Sequence, residues 1–153
     1  MLFRSLLADL FPGAILPADP VQRARARLFV AHFESKFAEG AWRAAFLRGE
    51  DPSVLLGALE ELQTRLPAEG GFVCGRWGIA EMAAAPFLVR AWMMLEHDIG
   101  KYPPGEGKKV MDALQGEKYA RIRRYVEDIK AYPSFKQSWD EVRVVGSGAT
   151  ARG

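Results

Sequence analysis

Few residues in this chain have the type and spacing to do chemistry. Cys74 is the only cysteine, and His32 and His97 are the only histidines. None of the three stands at the close spacing of a zinc or haem site, so no structural metal is expected. Cys74 precedes a helix start, and a helix N-terminus lowers a thiol pKa. That helix begins four residues later at Gly78, however, and no histidine is near in sequence, so Cys74 reads as a small buried apolar residue. Glu96, His97 and Asp98 are consecutive and so point in different directions on a helix. No catalytic residue is assigned.

The arginines Arg23, Arg25 and Arg27 invite a nucleic-acid reading, but on a helix Arg23 and Arg27 share one face and Arg25 points away. Arg121, Arg123 and Arg124 are offset by Glu117, Glu127 and Asp128. With 21 basic and 19 acidic residues and a net charge of +2, solvated helix faces account for them and no nucleic-acid partner is expected. The aromatics carry the stronger hint. Phe29, His32, Phe33 and Lys36 sit on adjacent faces of one long helix, Trp42 and Phe46 follow, and Trp92 and Met93 lie late in another. Phe33 reads as core. Phe29, His32 and Lys36 face the other way and, with Trp42 and Trp92, are the candidates for a hydrophobic pocket with a polar edge.

These residues must be positioned by helices. Asp19 followed by Pro20 is an N-cap and a first-turn proline. From there Ala26, Val30, Phe33, Phe37, Ala41 and Ala44 form one buried stripe to about Arg48, with Gly40 as a bend. Gly49-Glu50-Asp51-Pro52 stops this helix and starts the next, whose core face is Val54, Leu55, Ala58, Leu59 and Leu62 and which Pro67 ends. Gly78 to about His97 is apolar nearly all round, which places it at the centre of a domain, and it carries Pro86 inside. With Gly78 as N-cap, Glu81 supplies the second half of a capping box, and Trp77 and Met82 have the spacing of a hydrophobic staple. A loop from Asp98 to Gly107 leads to a short helix near Lys108 to Leu114. Glu117 to Ala131 is amphipathic, with Tyr119, Ile122, Val126 and Ile129 inward. Pro133 breaks it, and Ser134 to Val142 is a final turn or helix. No strand alternation is evident, so the fold expected is all-α, an orthogonal bundle of about five to seven helices.

The run Gly75 to Leu88, G-R-W-G-I-A-E-M-A-A-A-P-F-L, resembles the pattern G-x-x-[ST]-x-A-D-x-x-x-A-P-F-L of the C-terminal helical domain of glutathione transferases. It departs at two positions, Gly78 for the capping Ser/Thr and Glu81 for the Asp. Tyr132 to Trp139 resembles the family's terminal R-P-S-F-K-x-x-W, and Leu7 to Pro12 with Leu16 to Pro20 resembles the link between its two domains. The likeness, closest to omega-like and fungal members, covers about residues 6 to 143. It implies residues 1–16 as a remnant of the interdomain helix and linker, 17–143 as the helical domain, and 144–153 as a disordered tail. In the family a thioredoxin-like domain precedes this region, binds glutathione and activates its thiol. Nothing of that domain is recognisable here, so the expectation is a helical half that offers an electrophile pocket and an assembly surface.

With the thioredoxin-like half, such a protein conjugates glutathione or transfers thiols in detoxification, and alone it is expected to be inactive. Cofactors are none, with glutathione as co-substrate only where that half is present. The alternative is a non-catalytic carrier of hydrophobic ligands or a protein-interaction module. The expected partners are a hydrophobic small molecule and either a second copy or another protein. Apolar residues make up 49% of the chain, yet no stretch approaches the roughly 20 apolar residues of a membrane span. One cysteine, with no convincing signal peptide, suits a cytoplasmic protein.

Overall fold

The first helix is set by its cap. In the computed structural model, which describes residues 16–138, the Asp19 carboxylate accepts the Gln22 N–H at 3.0 Å and Pro20 opens the helix. Helix α1 runs Pro20–His32 and continues without a break into a π-helical stretch, Phe33–Trp42, and a last α-turn, α2, Arg43–Phe46. Gly40 does not simply bend the helix. A Cβ on Gly40 would stand 3.2 Å from the Ser35 carbonyl oxygen, so the bare glycine accommodates the wider winding. The continuous helix therefore ends at Phe46, short of Arg48, and the chain turns through Gly49 in the left-handed region at φ +73°.

The next helix, α3, is Val54–Gln63. Asp51 does act in its entry, but three residues upstream of the helix proper, where its carboxylate accepts the N–H of the N-cap Ser53 at 2.9 Å. Leu55, Leu59 and Leu62 are fully buried, whereas Val54, expected on the core face, is 43% exposed because it sits at the turn before the stripe begins. After Gln63 the chain tightens, with Arg65 and Leu66 N–H groups bonding three residues back, and so closes before Pro67.

Helix α4, Ile79–Glu96, is the centre of the molecule. It packs against α1, the π-helical stretch, and the later helices α5 (Glu106–Leu114) and α6 (Ala120–Ala131). Pro86 lies on its exposed side and the helix runs through it. Asp98, at φ +54°, ends this segment, and its carboxylate accepts the Gly105 and Gly107 N–H groups at 2.6 and 3.1 Å, tying the loop to the start of α5. A short 3-10 turn, Glu117–Tyr119, leads into α6, which buries Ile122, Tyr125, Val126 and Ile129. Tyr132 is extended, as a residue before proline must be, and α7 is Pro133–Ser138. All described elements are helical. The remnant expected at 1–16, all but its last residue, the tail at 144–153 and the domain limit at 143 lie outside the described residues.

Aromatic side chains join these elements. Phe29, Phe33 and Phe37 stack along the first helix at centroid separations of 6.4 and 5.1 Å. Phe33 meets Phe87, Phe87 meets Trp42, and contact passes through Phe46 to Tyr102. In the other direction Phe29 meets Tyr125, then Phe72 and Trp77. Edge-to-face and offset pairs of this kind each add about 0.5–1.5 kcal/mol beyond their buried area.

Candidate ligand cleft and the capped core helix

The core helix is anchored by one carboxylate. Glu81 is 1% exposed, and its oxygens accept the Val73 N–H at 2.9 Å, the Gly78 N–H at 3.0 Å and the Tyr125 hydroxyl at 3.2 Å. Gly78 has no side chain to return the bond, so only the glutamate half of a capping box is made. In its place the same carboxylate holds the preceding loop and α6. Burial raises the Glu81 pKa, and the two N–H groups and the Tyr125 hydroxyl pull against that rise. Tyr125 is pushed well above the usual phenol range by burial and then by the Glu81 charge, so its proton stays on the bond. Trp77 stacks flat on Tyr132 at 4.2 Å and 3°, an anchor to the far end of α6 that the expected staple with Met82 did not include. From α6, Arg121 donates to the Pro67 and Gly71 carbonyls at 2.7 and 2.8 Å, so this arginine is a strut and not part of a solvated face. Cys74 is half-buried in the same loop and donates to the Gln22 carbonyl at 3.4 Å. Burial and then Glu81 raise its pKa, the opposite of what a nucleophilic thiol needs.

On the other side of α1 lies an open cleft of about 580 Å³. Its apolar walls are Val21, Ala24, Leu28 and Phe29, and its cationic groups are Arg25 and Arg65, the latter from the turn after α3. Val21 and Leu28 are each 66% exposed, the largest exposures among the big apolar side chains described. Phe29 lines this cleft but is only 2% exposed; it stacks on Phe33 and does not face away from it. His32 lies one turn further along α1, 9% exposed in its side chain, and its Nε2, 3.9 Å from a Glu61 oxygen, makes no hydrogen bond among the described residues. Burial, and then the Arg65 charge, hold its pKa below 6.5. Lys36, a further turn on, is exposed.

Trp42 and Trp92 are placed elsewhere. Trp42 is buried against Phe46 and Phe87 at 5.3 and 5.5 Å. Trp92 borders a second, polar cleft of about 430 Å³ whose rim includes Glu96, Arg123, Glu127 and Lys130. The structure therefore groups Phe29 with the cleft, sets His32 beside it, and leaves both tryptophans out of its lining. Val21, Arg25, Leu28 and Arg65 were not foreseen as a group. Val21 and Leu28 fall a heptad apart and off the buried stripe, and that stray apolar pair was the available signal. Among the described residues no group of three or more His, Cys, Asp or Glu side chains could hold a metal, and no helix is long and apolar enough to cross a membrane.

Comparison with known proteins places this arrangement. Residues 21–128 match the family described as glutathione S-transferase, C-terminal domain. The chain belongs to the glutathione transferase C-terminal domain family. Among solved transferases, Omega 1C from Trametes versicolor is 44% identical, with a TM-score of 0.87 over 96% of this chain and 62% of that one. Omega 2S from the same fungus, solved in complex with 2,4-dihydroxybenzophenone, is also 44% identical, with a TM-score of 0.87 over 95% of this chain and 63% of that one. Omega 2C is 38% identical, with a TM-score of 0.84, 97% of this chain and 63% of that one. This chain thus spans less than two thirds of the transferases it matches. No curated protein matches it. The omega-like resemblance and the all-helical transferase fold expected from the Gly75–Leu88 motif both hold.

Proposed function

We propose that this chain is the substrate-side half of a glutathione transferase-like protein. It would offer an apolar cleft and an assembly surface, and a thioredoxin-like half would supply glutathione and the activation of its thiol. The single observation that carries this is the cleft on α1, apolar along Val21, Ala24, Leu28 and Phe29 and of a size that takes a small molecule. The bound 2,4-dihydroxybenzophenone in a relative at 44% identity supports an aromatic ligand here. His32 and Lys36 would form the polar edge of the cleft, and Trp42, packed on Phe46 and Phe87, has no part in it. Trp92 borders the other, polar cleft and has no part in this one.

The state of Cys74 favours a division of labour in which this half does no thiol chemistry, since its only thiol is raised in pKa and hydrogen-bonded to Gln22. A carrier role for hydrophobic ligands is the alternative that the same observation supports. A cytoplasmic site suits a chain whose one cysteine is a free thiol. The test is a titration of the chain with 2,4-dihydroxybenzophenone alongside an assay with glutathione and an aryl halide. Saturable binding that weakens on Leu28→Asn, with no conjugation, is expected. Absence of binding would sink the cleft reading, and steady conjugation by this chain alone would sink the division of labour.

A further inference from the structure

The polar cleft of about 430 Å³ opens where α4, α5 and α6 meet. Each helix gives it one ridge. Trp92 and Glu96 stand one turn apart on α4, Met111 comes from α5, and Arg124, Glu127 and Lys130 follow along α6. Trp92 is largely buried and Met111 half-buried, so the cleft has an apolar patch, whereas Glu96, Glu127 and Lys130 are exposed.

The charges around this cleft are left open. Arg123 and Glu127 have the i, i+4 spacing, and Glu127 and Lys130 the i, i+3 spacing, at which helical ion pairs close. The same spacings do close elsewhere in the chain, between Glu39 and Arg43 at 2.7 Å and between Glu106 and Lys109 at 2.8 Å. Here they do not. Arg123 is drawn instead to the Leu114 and Gly116 carbonyls, and the Arg124 guanidinium lies 3.0 Å from where a Cβ on Gly70 would stand. Among the described residues none of Glu96, Glu127 and Lys130 is in an ion pair. Two open carboxylates repel a simple anion, and Lys130, with the two arginines, repels a simple amine. A ligand carrying one charge of each sign meets both, and Trp92 and Met111 offer a surface to its apolar part.

We propose that this cleft binds short zwitterionic peptides with an apolar side chain. Glu96 and Glu127 take the ammonium from two helices, Lys130 takes the carboxylate, and the side chain lies on Trp92 and Met111. The cleft shares no lining residue with the one on α1, so the proposal is independent of the ligand proposed there.

The experiment is calorimetric titration of the full 153-residue chain, at neutral pH and low salt, with L-alanyl-L-phenylalanine, its N-acetyl form and its C-terminal amide. The free dipeptide is expected to bind about fivefold more tightly than either blocked form, because each block removes one exposed ion pair. Glu96→Gln with Glu127→Gln is expected to erase the advantage over the N-acetyl form, and Lys130→Gln the advantage over the amide. All three side chains are exposed, so the changes leave the core intact. Equal affinity for the three ligands, tightest binding by a blocked form, or an advantage that the substitutions do not move overturns the proposal. Absence of binding by the free dipeptide overturns it as well.

Discussion

Glu81 and Tyr125 show how much one buried side chain can organise. Three donors from three places in the chain converge on the Glu81 carboxylate. Glu81→Gln keeps the volume but turns one acceptor into a donor facing an N–H or the phenol. It is expected to cost about 1–3 kcal/mol in urea unfolding, whereas Tyr125→Phe, which removes a single bond, costs about 0.5–1.5 kcal/mol. Equal costs would mean that the two N–H bonds carry no weight. The glutamate was legible in the sequence from its place three residues after Gly78, because capping is a local pattern. Tyr125 was not, because its partner is 44 positions away and the inward stripe read from the period of α6 did not include it. His32 makes a prediction of opposite kind. Its folded pKa lies below 6.5, so the unfolded chain takes up the proton first. The stability it contributes is present above 6.5 and is lost as pH falls through that value toward the folded one. Unfolding midpoints of the native chain are expected to drop over this window, and His32→Gln to flatten that part of the drop. Parallel curves for the two proteins would exclude His32 as the cause.

The elements differ in how freely they tolerate a side chain, and two helical glycines separate the cases. Gly57 lies exposed in α3 with open space where a Cβ would stand. Gly57→Ala is therefore expected to stabilise by about 0.5–1 kcal/mol through helix propensity and reduced freedom of the unfolded chain. Gly107 is also helical, in α5, but a Cβ there would press on the Tyr102 hydroxyl and lie 2.8 Å from Asp98 Oδ1. Gly107→Ala is expected to destabilise by about 1–3 kcal/mol, since Tyr102 is buried and Asp98 caps the helix. Thermal melts of the two variants should move in opposite directions, and a shared direction would refute the packing argument for the Asp98 loop. Helix existence and order were legible throughout from stripes, prolines and glycines. The misplaced details have local causes. Val54 was read as inward because a turn of a different winding precedes α3, and Phe29 was read as outward because its stacking on Phe33 depends on side-chain direction rather than on residue spacing.

At the scale of the molecule, the cleft needed two elements to meet. Arg65 and Leu28 belong to separate helical regions, and no motif announces that the end of α3 will stand beside the outer face of α1. The family resemblance gave the architecture, and the cleft had to be found in the folded chain. Its Val21 and Leu28 are exposed together on the outer face of α1. The chain is expected to sediment as a dimer at high concentration, with Val21→Gln and Leu28→Asn together shifting it toward monomer. A dimer indifferent to both changes would place its interface elsewhere. The π-helical stretch has a consequence of a different kind. Its wider turns take up about one more residue per turn than α-winding does. The stretch holds ten residues, about two such turns, so a relative about two residues shorter between 33 and 42 would wind there as an ordinary α-helix and keep both ends of the helix in place. Insertions and deletions are normally confined to loops; here a buried helix has a length that drift can edit.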